Sequence, residues 1–391
     1  MALCEIRPTR KDTFMMAEES VSGELESMAV STHGVLAQNI SFGIEVDTTN
    51  TNENTGALDE GVPIIGGQRA QISGEIVLRG LDSLSTEPDW FLLLKAAAMA
   101  VTQYASPVPA SPEAVTAGTD TGVTLGASFS NTEGDYNGAA LDLPGVNPND
   151  PIPIRSHNAS RQVDLFYDNN DVNISGTAQI PAQFVLSPVS PASGTMPRIS
   201  AGIYSGGNLH QLYGGVVTAS LRMNAGQNVI LSFTISGVYQ APIAAEPDAV
   251  LAKPDNPFVF RNGFSRVEGL SARCTSVAFN LTNQIFVNPD VEHPTGYCPP
   301  EIVSRRITGD TNPTTVQVTT RDPWAKLLAN QNSHMMFMAK AGAGGAGNRL
   351  YIGMNNARLL NAPPDASGEV ARTNIQTQLD DANDGFFITI V

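Results

Sequence analysis

The chain has 391 residues, of which 41% are hydrophobic and only 15% charged, with 35 Gly and 26 Pro. This turn-rich balance excludes a disordered or coiled-coil chain and points to an all-β protein with room for two or three domains. A formal net charge of −16 disfavours sequence-specific nucleic-acid binding, because an acidic surface repels phosphate.

The charge is unevenly placed. From Asp255 onward there are 12 acidic and 11 basic residues, a net of −1, and the other 26 acids and 11 bases lie before it, a net of −15. Three cysteines (Cys4, Cys274, Cys298), odd in number and far apart, argue against a disulfide framework and suit a reducing cytoplasm. No apolar run has the length of a membrane span, and the N-terminus lacks the pattern of a signal peptide.

Residues 1–34 read as a mostly polar N-terminal arm. A strand follows, in which Ile40, Phe42, Ile44 and Val46 alternate with polar residues. A polar loop runs from Asp47 to about Gly67, too long for a hairpin turn. Ile72, Ile76 and Leu78 mark a second strand. Thr86-Glu87-Pro88-Asp89 before Trp90-Phe91-Leu92-Leu93-Leu94 carries a capping box and an early proline, which predicts a helix start. About 101–160 is rich in Pro and Gly and reads as an irregular insertion. Gln162–Tyr167 and Gln179–Leu186 read as strands. The first half closes on a hairpin, Leu212–Met223 with Val229–Ile235.

Ala241–Pro257, with four prolines, reads as a linker. Beyond it the order restarts. Val277, Phe279 and Leu281 form a strand, a long loop spans Thr282 to about Pro313, and Val316 and Val318 mark the next strand. Asp322-Pro323-Trp324 opens a second helix; strands at His334–Lys340 and Arg349–Leu359 and a closing hairpin, Glu369–Leu379 with Phe386–Val391, complete it. The two tryptophans of the chain occupy matching places, so the reading is an internal duplication. Phe42 falls opposite Val277, and Leu231, Phe233 and Ile235 opposite Phe386, Ile388 and Ile390. The resulting division is an arm (1–34), a first domain (35–240), a linker (241–257) and a second domain (258–391).

Motifs for chemistry are weak. Gly342-Ala343-Gly344-Gly345-Ala346-Gly347 satisfies G-x-G-x-x-G, but a strand pattern follows where a dinucleotide site needs a helix N-terminus. The five histidines have no zinc spacing. Asp168–Asp171 and Asp380–Gly385 are oxygen-rich but lack the ligand ladder of a calcium loop and read as solvated turns. No nucleophile-elbow context appears. The expectation is no enzyme, no cofactor and no metal. Trp90, Leu93, Trp324 and Leu327 are expected to pack one helix on the sheet of each domain.

A β-domain with a long loop after its first strand and one mid-chain helix resembles the tail tube (major tail) proteins of long-tailed, siphophage-type bacteriophages. Phe42–Asp47, the loop to Gly67, Ile72–Gly80 and Leu212–Gly237 carry the resemblance, which covers most of the chain outside 101–160; Thr275–Val391 matches in order more than in identity. It implies a mainly β fold of two tandem sandwich or barrel domains, each with one α-helix. It further implies a virion subunit that polymerises into stacked rings around a DNA channel, with the tape measure protein and the tail terminator as partners. Long loops would touch the next ring, through Asp47, Asn52, Glu53, Asp59, Glu60, Val291, Glu292 and Tyr297. With two copies per chain, the expected ring is a homotrimer. Closure into a ring would also remove exposed sheet edges. Two other classes stay open: a tandem β-sandwich adhesin or decoration protein, and a β-rich carbohydrate-active enzyme, which would want paired acids and an aromatic cleft.

Overall fold

Alternation decides how each strand lies. The computed structural model describes residues 12–50, 63–147, 150–169, 172–189, 196–342, 345–366, 369–380 and 385–391. In chain order, β1 (Thr13–Glu18), a helical turn α1 (Val30–His33) and β2 (Gly34–Val35) precede the long pair β3 (Gln38–Thr49) and β4 (Ile64–Val77). Helix α2 (Phe91–Ala96) leads to β5 (Met99–Tyr104) and to short strands: β6 (Val108–Ala114), β7 (Ala117–Gly118), β8 (Gly122–Thr124), β9 (Ala140–Leu141), β10 (Ile152–His157), β11 (Gln162–Leu165) and β12 (Thr177–Ile180). Then come β13 (Gln183–Pro188), β14 (Ile199–Ser205), β15 (Asn208–Asn224) and β16 (Ile230–Ala244). The later part holds β17 (Ser265–Val267), β18 (Leu270–Ser271), β19 (Ser276–Phe286), β20 (Glu301–Thr311), α3 (Pro323–Leu328), β21 (Asn332–Lys340) and β22 (Arg349–Asn361). Last are β23 (Pro364–Asp365), β24 (Arg372–Thr373), β25 (Ile375–Leu379) and β26 (Phe386–Ile390). The protein is mainly β, as its composition predicts.

Seventeen strands join one antiparallel sheet among the described residues, and it folds into two facing layers. The first runs β3–β4–β16–β15–β19–β20–β25 and the second β5–β13–β26–β22–β21–β17. In the first layer, Ile72, Leu231, Val217 and Phe279 point inward and alternate with polar residues. Phe279 meets Phe337 and Phe386 of the second layer at ring distances of 5.9 and 5.5 Å. Truncating so central a phenylalanine costs about 3–5 kcal/mol.

The middle strands of the second layer, β13, β26, β22 and β21, are buried on both faces over most of their length. Met335, Phe337 and Ala339 enter the inter-layer core, whereas Met336 and Met338 enter another core on the far side. Burial on both sides explains why Met335–Ala339 and Phe386–Ile390 read as unbroken runs. The far side is covered by residues 108–180; the part of them expected to be an irregular insertion, to about 160, holds short strands, and the expected strand Gln162–Tyr167 is β11. Their strands β7–β8–β11–β10–β9 form a five-stranded sheet with its own core of Phe129, Tyr136, Ile154 and Phe166. Prolines and glycines there punctuate short strands instead of preventing them. Phe166 packs on Phe387 at 5.2 Å, and buried Asp150 joins Lys340 (2.8 Å) and Arg349 (2.9 Å) across the same junction.

Other expectations are corrected. Val316 and Val318 lie in an irregular segment and are exposed; the strand that pairs with β19 is β20, which occupies much of the expected Thr282–Pro313 loop. The closing segments do not form a hairpin: β25 and β26 run end to end along the same β22. The Thr86 and Asp89 capping box does not form, since Trp90 itself stands at the N-cap of α2 without a side-chain cap. Asp322 does cap α3, accepting from the Ala325 N–H at 2.8 Å. Within the expected polar arm, β1 is a buried strand against β14, with Phe14 and Met16 in the core. Part of the expected linker also belongs to the sheet, because β16 extends to Ala244.

Candidate self-association surface

The pairs β3–β4 and β19–β20 are built alike. The connections 50–63 and 287–300 are equally long, and each ladder carries a register shift beside that connection. Phe42 pairs with Ile72 and Ile44 with Ala70, as Phe279 pairs with Gly309 and Leu281 with Ile307. By this register Phe42 corresponds to Phe279, two residues from the Val277 match read in the sequence. Similarly β25, which pairs with β20 as β16 pairs with β4, is the counterpart of Leu231–Ile235, not β26. Strand order recurs too: β3–β4–β16–β15–β14 in one part and β19–β20–β25–β22–β21 in the other.

Exposure separates the two pairs. Phe279 and Leu281 are 0% exposed in the inter-layer core, and β15 pairs with the outer side of β19 from Ala219↔Leu281 to Asn224↔Ser276. Among the described residues no strand pairs with the outer side of β3. There Ile44 is 47% and Val46 44% exposed, with Ile64 and Ile65 beside them at 58% and 61%. An edge of unsatisfied backbone groups flanked by apolar side chains is a template for another chain. The alternation in β3 marks this face as apolar, and the structure leaves it exposed with no strand beside it among the described residues.

Two of the loop residues singled out in the sequence meet. The Tyr297 hydroxyl donates to the Asp47 carboxylate, which holds the phenol above its ordinary pKa. Arg69 lies over the Tyr297 ring at 4.9 Å and reaches Asp47 at 3.4 Å and Glu45 at 3.9 Å. The Gln68 N–H donates to the Thr295 carbonyl at 2.9 Å. The ring lies so close over Gly67 that a Cβ there would collide with it. Val291 and Glu292 are exposed at the far end of the 287–300 segment, where the N–H of Glu292 and the thiol of Cys298 hold Asp290 below its ordinary pKa. Asn52, Glu53, Asp59 and Glu60 lie outside the described residues.

Trp90 and Leu93 are buried, with Trp90 edge-on to Phe91 at 4.7 Å. Trp324 and Leu327 are half-buried against the core, and Trp324 Nε1 donates to the Ala362 carbonyl at 2.9 Å. Leu328, Val318 and Leu360 are exposed around that helix and the end of β22. The Gly342–Gly347 stretch leads into strand β22. Among the described residues no group of three or more His, Cys, Asp or Glu is placed to hold a metal ion, and no helix is long and apolar enough to cross a membrane.

A family model described as phage tail tube protein matches residues 9–375. No curated protein matches the chain.

Proposed function

The chain belongs to the phage tail tube protein family, a family of structural virion proteins of the tail that assemble into a tube, and from that premise we propose that it is a ring subunit closing head to tail through β3. The observation that carries this reading is the contrast between Leu281, with β15 paired beside it, and its counterpart Ile44, bare on the outer side of β3. Within the chain, the second unit is joined to the first by the β15–β19 ladder. The next chain supplies the equivalent cover for β3. The acceptor is the rim at the end of β22 and α3, where Leu360, Val318 and Leu328 are exposed, because β22 flanks β25 as β15 flanks β16. A heterologous contact of this kind closes into a ring when its rotation permits.

The repeated strand order supports a duplication into tube units 35–240 and 258–391. Two units per chain make the ring a trimer with pseudo-sixfold symmetry, since tethered neighbours meet at high effective concentration. Stacked rings form the conduit for genome DNA, with the 50–63 and 287–300 connections reaching the next ring. The tape measure protein inside and the terminator at the end complete the partners, and the protein has no enzymatic role. It is made in the host cytoplasm before entering the virion. Counting chains per ring by native mass spectrometry or helical reconstruction tests this: three supports the duplicated ring, and six overturns it.

A further inference from the structure

The two helices end alike. Ala97 and Ala329 are the C-caps of α2 and α3, and each is followed by a residue with positive φ, Ala98 at 67° and Asn330 at 53°. Helix α2 packs on β15 as α3 packs on β22, so each unit offers a helix end beside a long strand. The last carbonyls of a helix have no partner within it and need a donor from elsewhere.

At α2 those donors come from the other unit. Asn283 on β19 donates through Nδ2 to the Ala97 carbonyl at 3.2 Å and to the Val217 carbonyl of β15 at 2.7 Å. Arg305, its cross-strand partner on β20, donates through Nη1 to the Ala98 carbonyl at 2.9 Å and to the Val189 carbonyl at 3.2 Å. Ala97, Ala98 and Asn283 are buried there. At α3 the equivalent place is open: Leu328 is 87% exposed, and Ala329 and Asn330 are exposed beside it. The register that sets Phe42 against Phe279 and Ile72 against Gly309 also sets the cross-strand pair Val46–Gln68 against Asn283–Arg305. Where one pair carries a polar clamp, the other carries an apolar residue and a neutral amide.

We propose that the two helix ends are sockets that do not interchange. The α2 end takes β19–β20 of its own chain through the Asn283–Arg305 clamp. The α3 end takes β3–β4 of a second copy, with Val46 over Leu328 and the Gln68 amide donating to the Asn330 carbonyl. This inference rests on the ring reading and names what keeps the units in alternating order. Val46 in the α2 socket would leave the buried Ala97 carbonyl without its donor, and an unmet buried acceptor is costly. The Arg305 guanidinium in the α3 socket would be drawn from water against Leu328 and Val318. Both penalties fall on the wrong pairing, so a second copy adds at α3 while the seam within the chain stays shut.

Exchange of the two pairs tests the discrimination. Val46→Asn with Gln68→Arg puts the clamp on β3–β4. The monomer is expected to melt with the parent, while the protein concentration needed for tubes rises about tenfold or more. Assembly at the parent's concentration overturns the discrimination. The reverse exchange, Asn283→Val with Arg305→Gln, is expected to lower the melting temperature, and a parental value overturns the clamp. Position is tested by Gln68→Cys with Asn330→Cys in a chain whose three cysteines are replaced by serine. Oxidised tubes are expected to yield covalent multiples of the chain that neither single substitution gives. Tubes that form without such multiples overturn the α3 socket and leave the ring reading standing. Failure of the parent chain to form rings or tubes removes the ring reading and this inference with it.

Discussion

The guanidinium of Arg69 rests over the ring of Tyr297, 4.9 Å from its centroid, and so ties β4 to the 287–300 connection. The phenol completes the tie through Asp47. Both partners lie at the surface, so the contact orders a loop more than it stabilises the fold. Tyr297→Ala should leave the melting temperature nearly unchanged but raise the rate of limited proteolysis within 287–300 severalfold. Tyr297→Phe, which keeps the ring and loses the hydroxyl, should fall between. Equal cleavage in all three proteins would remove the tie from the account.

Ile44 and Leu281 occupy matching positions with opposite burial, which makes them a paired test. Ile44→Lys places a charge on an exposed edge and should change monomer stability by no more than ~0.5 kcal/mol, yet abolish tubes in electron micrographs. Leu281→Lys buries the charge in the core and should prevent folding. Normal tubes from Ile44→Lys would rule out closure through β3.

Asp150 holds two cations, Lys340 and Arg349, at the junction of the second layer and the 108–180 sheet. Asp150→Ala leaves both with their main counter-ion gone and should cost about 3–5 kcal/mol. Chemical denaturation of Asp150→Ala against the parent measures it. A loss below ~1 kcal/mol would show that solvent reaches the junction.

His334 on β21 packs against Phe166 at 5.8 Å. Burial first, then nearby Arg155 and Lys326, pushes its pKa from 6.5 down to about 4. His157 is lowered as well, chiefly by burial. The unfolded chain therefore binds more protons than the folded one between these values. Stability is complete above the ordinary histidine pKa and falls as pH drops toward 4, by at most ~1.4 kcal/mol per pH unit for one such histidine. Melting temperature followed from pH 7 to pH 4 should decline in the parent and less steeply in His334→Gln. Parallel declines would remove His334 as a source.

What the sequence determined by itself is what local patterning controls. Period-two alternation identified the one-sided strands β3, β4, β16 and β19, because a strand with one face in the core must repeat every second residue. Asp322-Pro323 placed the start of α3, since capping is settled within one turn. The resemblance carried by Phe42–Asp47 and Leu212–Gly237 reached the family. Only the tertiary structure decided which apolar faces are covered. Ile44 is matched with Phe279 in the sequence and with Leu281 by the register of the ladders, and on either match a neighbour from far along the chain, β15, lies beside the β19 residue while none lies beside Ile44 among the described residues. Of the sheet at 108–180 the sequence showed β11, as Gln162–Tyr167, and missed the shorter strands for a related reason: they pack on Phe387, Tyr351 and Met336, long-range partners that no local pattern announces. Val316 and Val318 alternate like a strand yet lie outside the sheet, because β20 already occupies the side of β19 where that strand was expected to pair.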